Sequence, residues 1–248
     1  MTPAAAPAPR TIAAEALARI RSLADPKRAE SNQRFFKEPV PMYGLDAKTI
    51  RTITRETASR VKGAWTVRET VRFVDAMVRD PRWEARAVAY LMLERHAKDA
   101  GPELLPAVRR WLEKSCGNWA AVDTLAPSVL APLLDRHPEL IGEVTAWTDS
   151  PNLWLRRGAA VAFVPLARKG RRLNEAYRVA GRLLGDDEDL MHKAVGWLLR
   201  EAGRTDRPRL EAWLRKKGPR IPRTSLRYAI EHFPETRRKA LLRDTRPR

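Results

Sequence analysis

Apolar residues recur at intervals of three and four along almost the whole chain, as in Thr66-Val67-Arg68-Glu69-Thr70-Val71-Arg72-Phe73-Val74-Asp75-Ala76-Met77-Val78. That interval places them on one face of a helix, and alternating stretches long enough for strands are missing, so the pattern predicts an all-α chain. Helices are predicted over 11–24, 28–37, 46–61, 66–79, 82–98, 102–115, 119–135, 137–148, 152–168, 172–184, 188–203, 206–217, 224–233 and 235–243, with short connections between them. The Pro/Ala-rich stretch 1–10 reads as a disordered leader, and 11–248 as a single domain.

Four of these helices open alike, at Trp83, Trp119, Trp154 and Leu190, and their first residues stand 36, 35 and 36 apart. A period of this length marks helical-hairpin repeats, in which no unit buries its apolar stripe alone and stacked neighbours share a continuous core. The expectation is a HEAT-like solenoid, curved, with a concave basic groove. Asp80-Pro81, Asn118, Ser150-Pro151-Asn152 and Asp187 precede the four openings as capping or turn residues. A basic residue sits three positions into three of the repeats, at Arg86, Arg157 and Lys193, followed by small residues. Pro127, Pro132 and Pro165 are expected to kink or end helices, because each lacks an N–H and clashes with the preceding turn.

Composition narrows the function classes. The chain has 248 residues, 44% hydrophobic, enough for a sizeable core, and no apolar run near the ~18 residues that a bilayer crossing needs. The single cysteine, Cys116, cannot form an internal disulfide, and the four histidines show no metal-ligand spacing, so a reducing cytoplasm and a metal-free chain are expected. The net charge is +18, and Gly203 to Arg248 carries 15 basic against 5 acidic side chains. Arginine forks bind phosphate bidentately and gain from counterion release, which makes nucleic acid the first partner to weigh. A GC-rich genome that fills surfaces with arginine is the alternative source of the same charge, and a repeat scaffold for protein partners is the alternative use of the groove.

Of the eight tryptophans, Trp65, Trp111, Trp147 and Trp213 read as core residues. Trp119 differs: Asp123 follows four residues later, so on a helix an indole and a carboxylate lie on one face. Read locally, Asp123 is equally open to being a solvated or capping carboxylate. Lys193 and Arg200 flank Trp197 on its helical face as candidate phosphate contacts, with a solvated basic edge as the alternative; Arg51 is a weaker candidate of the same kind.

Several blocks of the chain occur in one collinear order between about 28 and 233: Phe35-Phe36-Lys37 with Tyr43-Gly44-Leu45, Asn118-Trp119-Ala120-Ala121-Val122-Asp123, His137-Pro138-Glu139-Leu140-Ile141, Ser150-Pro151-Asn152-Leu153-Trp154-Leu155-Arg156-Arg157, Lys193 to Glu201, and Arg227-Tyr228-Ala229-Ile230-Glu231. In these blocks the sequence resembles the AlkD-type DNA alkylation repair glycosylases. The resemblance implies a C-shaped stack of HEAT-like repeats around double-stranded DNA and hydrolysis of the N-glycosidic bond of cationic alkylated purines such as 3-alkyladenine and 7-alkylguanine. It puts the catalytic carboxylate on Asp123, the cleft tryptophans on Trp119 and Trp197, and the backbone-contacting arginine on Arg157. Two positions depart from the family pattern: Asn118-Trp119 replaces an aromatic pair, and Phe35 stands where some members have a tyrosine, leaving Phe35 as a cleft aromatic without a hydroxyl. The implied enzyme is a monofunctional, monomeric glycosylase without cofactor that leaves an abasic site. A non-catalytic DNA-binding relative and a protein scaffold stand as the competing readings.

Overall fold

In a computed structural model, residues 6–246 are described, and they form helices joined by turns with no strand among them. The chain forms two compact units, the first ending at Leu133 and the second starting at Leu134. Residues 1–5 of the expected leader lie outside the described residues. The leader's remaining part is tied down: helix α1 starts at Pro9, and the Trp65 indole N–H donates to the Pro7 carbonyl at 2.9 Å.

The first unit holds α1 (Pro9–Ser22), α2 (Pro26–Gln33), α3 (Ala47–Val61), α4 (Val67–Met77), α5 (Trp83–Glu94), α6 (Leu105–Lys114) and α7 (Trp119–Leu125), and α8 (Ala131–Arg136) runs across the division. The second holds α9 (Ile141–Ala146), α10 (Leu153–Ala162), α11 (Val164–Arg168), α12 (Leu173–Arg182), α13 (Asp189–Thr205), α14 (Arg207–Lys217), α15 (Arg223–Ala229) and α16 (Glu235–Asp244). Each unit has its own core, with Phe73, Tyr90 and Trp111 fully buried in the first and Phe163, Leu198 and Leu210 in the second. Trp65 and Trp147 are buried as well, whereas Trp213 is half-buried against Tyr177.

Polar contacts repeat with the same period as the sequence. Asp75 accepts from the Trp111 indole N–H and from Arg110, Arg156 pairs with Asp186, Arg168 with Glu201, and Arg182 with Thr148, each reaching one repeat along the chain. Stacked helical pairs need such rungs because each apolar stripe is covered only by the next unit. Asn118 and Asn152 cap α7 and α10 as expected, accepting from Ala121 N–H at 2.9 Å and from Trp154 and Leu155 N–H at 2.9 and 3.1 Å. At the fourth repeat the expected cap is missing: α13 starts without a side-chain cap, and Asp186, not Asp187, accepts the N–H of Glu188 in the turn before it.

Two departures shape the first unit. The helix expected over 28–37 ends at Gln33, because the Gln33 amide turns back on the chain, donating to the carbonyls of Phe36 and Glu38 and accepting from Val40 N–H. The strap then turns and bends over 34–38, and Pro39 and Pro41 keep the rest of it, to 46, out of helix. Its far end is pinned by Glu84, at 0% exposure, whose carboxylate accepts the N–H groups of Tyr43, Gly44 and Leu45 at 2.9, 2.7 and 3.1 Å. Gly44 has φ +84°, and a Cβ there would lie 2.0 Å from the Asp25 carbonyl oxygen, so no other residue fits the turn. The Tyr43 hydroxyl donates to Asp80 at 2.6 Å; burial pushes the Asp80 carboxyl up, but Tyr43 and the Arg82 and Arg21 charges outweigh it and hold it below its usual range.

The second departure follows Asp123. Pro127 has no N–H to offer the Asp123 carbonyl four residues back, and the chain widens into a π-helical turn over Ala126–Leu130. Such turns inside a helix recur at functional sites. Pro165 acts as expected, with α10 ending at Ala162 and α11 restarting at Val164.

Removing the Glu84 carboxylate leaves three buried N–H groups without an acceptor, each worth ~1–3 kcal/mol. Glu84→Ala is therefore expected to lower the melting temperature by about 10 °C in calorimetry, and a shift of under about 2 °C contradicts the clamp. Burial pushes the Cys116 thiol up to about 12, the Asp123 charge adding to the rise while Tyr90 and Arg86 oppose it. Iodoacetamide at mildly alkaline pH is expected to leave Cys116 unmodified in the folded chain and to alkylate it after denaturation; labelling of the native protein contradicts this.

Candidate functional site

The first unit brings together Trp119, Asp123 and Phe35 of the residues singled out in the sequence. Asn118 starts α7, so Trp119 and Asp123 stand one turn apart on the same helical face, both partly exposed. They line an open hollow of about 470 Å³ with Phe35, Phe36, Trp83 and Ile50. Its floor is apolar and its rim polar, where Arg28 donates to Asp46 at 3.2 Å.

The strap from 34 to 46 supplies the wall opposite α7. Phe36 stacks on the Trp119 indole with ring centroids 5.3 Å apart and planes 23° from parallel, and the Trp119 N–H reaches the Phe35 carbonyl at 3.4 Å. Phe35, the aromatic expected in the cleft, is 58% exposed with the Arg34 guanidinium over its ring at 4.9 Å, so its backbone and not its ring meets Trp119. Phe36 and Trp83 were not singled out as site residues. Phe36 lies in the Phe35-Phe36-Lys37 block and Trp83 opens a repeat, but nothing local distinguishes a wall residue from a core aromatic. Arg51 is exposed on α3; its neighbour Ile50 lines the hollow and Arg51 does not.

The second unit carries the other candidates. Trp197 is partly exposed on α13. Gly196 beside it allows α13 to approach α15 closely: a Cβ there would meet the Tyr228 Cβ at 2.4 Å and the Ser225 carbonyl at 2.8 Å. Lys193 pairs with Asp189 at 2.8 Å, and Arg200 pairs with Glu231 and, at 3.4 Å, with Glu201. The hydrogen bond to Asp189 raises the Lys193 pKa, so its charge is secure across the neutral range. Arg157, expected to reach phosphates, is 5% exposed and donates to the Leu190 carbonyl at 2.6 Å. It ties one repeat to the next, as the other rungs of this unit do.

Among the described residues, no cluster of three or more His, Cys, Asp or Glu side chains is arranged to hold a metal ion, and no helix is long and apolar enough to cross a membrane. The arrangement of the first unit can place a carboxylate and an indole face beside a developing positive charge, the combination that ring quadrupoles and anions both favour.

Comparison with known proteins gives this geometry a family. No curated protein sequence matches the chain. A solved structure titled a predicted DNA alkylation repair enzyme from Enterococcus faecalis is similar to it with a TM-score of 0.75 at 15% identity, covering 86% of this chain and 97% of that one, which supports the fold alone. The family model described as DNA alkylation repair enzyme matches residues 16–233, a span that includes the strap, the hollow and every candidate residue above. On that match the chain belongs to the DNA alkylation repair enzyme family.

Proposed function

We propose that the protein is an AlkD-type DNA glycosylase that hydrolyses the N-glycosidic bond of cationic alkylated purines in duplex DNA and leaves an abasic site. The observation that carries the reading is Asp123 lining an open hollow beside the Trp119 indole. An alkylated purine is already a cation, so the bond from C1′ breaks with its electron pair passing to the ring, and the base departs neutral without a general acid. Positive charge then develops on the deoxyribose, as in glycoside hydrolysis. Asp123 stabilises that charge and orients the attacking water, whose oxygen forms the new bond to C1′ and whose proton passes to the carboxylate or to solvent. Trp119 offers the negative face of its ring to the same sugar, held in plane by Phe36.

Trp197, Lys193 and Arg200 of the second unit are assigned to the DNA, Trp197 as an apolar surface and the two cations as phosphate contacts, whereas Arg157, tied to the Leu190 carbonyl, holds together the repeats that carry them. Lys193 and Arg200 trade one carboxylate partner for phosphate when they act. Selectivity on this reading comes from leaving-group lability and not from hydrogen bonds to base edges, so neutral lesions are poor substrates.

Free base released from duplex carrying 7-methylguanine, measured by chromatography, tests the reading. Asp123→Asn is expected to cut release by ~10²–10³ while duplex affinity holds. Affinity without release in the wild type supports a non-catalytic relative, and neither activity supports a scaffold. Phe36→Ala is expected to slow release by about fivefold, ~1 kcal/mol for one lost ring pair, with Phe36→Tyr restoring it and Phe36→Leu not; equal rates for all three contradict the positioning role.

A further inference from the structure

Arg86 on α5 is half-buried, yet among the described residues nothing pairs with its charge and nothing accepts its N–H groups; its Nε is buried without a partner. The two residues that share its place three positions into a repeat are both satisfied, Arg157 by the Leu190 carbonyl and Lys193 by Asp189. Removing a guanidinium from water without giving it a counter-ion costs free energy, and folded chains retain such a group where something outside supplies the anion.

The surroundings show where that anion enters. Gly117, exposed in the turn between α6 and α7, faces the guanidinium: a Cβ built on it would stand 3.6 Å from Nη1. A planar fork of the kind that phosphodiester oxygens accept from therefore stands beside an exposed turn that carries no side chain. The place adjoins the candidate centre along the chain: Arg86 lies three residues after Trp83 and Gly117 two before Trp119, and both tryptophans line the hollow.

We propose that Arg86, beside the turn at Gly117, binds one phosphate of the DNA backbone, next to the nucleotide served by Asp123. The site rests on the reading that the protein binds duplex DNA, and it adds to that reading a contact made by the first unit. Arg86 receives the two non-bridging oxygens bidentately, and the missing side chain at position 117 leaves room for them.

Arg86→Met keeps the stem's packing and removes the charge. Binding of an undamaged duplex oligonucleotide, followed by fluorescence anisotropy across a salt series, is expected to weaken about tenfold at low salt, with the slope of log K against log salt shallower by about 0.9, one phosphate contact. The melting temperature of the free variant is expected to stay or rise, since an uncompensated charge has been removed. Gly117→Asp, which supplies the missing carboxylate with Arg86 intact, is expected to weaken binding in the same way. Wild-type binding with an unchanged slope in Arg86→Met, or a lowered melting temperature with unchanged binding, overturns the proposal and leaves the DNA reading standing. A wild-type chain that binds no duplex at any salt overturns both.

Discussion

A carboxylate with no water around it must find donors for its oxygens, and Glu84 finds them in three consecutive backbone N–H groups of the strap. The first unit depends on this contact. It converts a proline-bearing segment, which has no helix or sheet ladder of its own, into a fixed wall, and Gly44 permits the turn that presents the three donors. The wall then decides what faces α7: Phe36 lies on Trp119, and the Phe35 carbonyl meets the indole N–H. Because Glu84 lies in the first turn of α5, the helix N-terminus adds its own favourable field to a buried anion.

The helix that carries the candidate carboxylate is constrained from its two ends. Asn118 closes the start of α7 and sets the angle at which Trp119 leaves it; Pro127 withholds the bond that the Asp123 carbonyl would otherwise receive, and the π-helical turn follows. Asp123 therefore sits where a regular helix stops being regular, one turn from an indole whose plane is set by a neighbour. The chain uses its arginines in two ways. Many of them, Arg156, Arg157, Arg168 and Arg182 among them, join successive repeats of the second unit. A charge of +18 consequently overstates what is free to meet phosphate, and the pairing of each cation decides which use it serves.

The features that the sequence discloses are those written locally or repeated. The openings at Trp83, Trp119, Trp154 and Leu190 disclose the helical repeat because each unit must bury the same stripe against the next, and Asn118, Asn152 and Pro165 act where local chemistry places them. Spacing puts Asp123 and Trp119 on one helical face but leaves the carboxylate open to a solvated or capping role, and it is the family resemblance that marks the pair as a site. The strap is not disclosed, since its shape is set by Glu84 some forty residues away and by the Gln33 side chain ending α2 four residues short of the expected boundary at 37. Phe36, reading like any core aromatic, acquires its place from that non-local contact. The burial of Arg157 is illegible for the same reason: the position three residues into a repeat accommodates a rung, an ion pair and an unpaired cation with no change in local pattern.

The central claim is electrostatic: Asp123 favours a sugar that has become cationic. Duplex DNA carrying a protonated pyrrolidine in place of the deoxyribose, compared with one carrying neutral tetrahydrofuran, measures that preference directly, because an analogue of the charged intermediate binds more tightly than the ground state. Tighter binding of the pyrrolidine duplex by the wild type, lost in Asp123→Asn while tetrahydrofuran affinity holds, is the result this account predicts. Equal affinity for the two duplexes, or a preference that survives without the carboxylate, contradicts it.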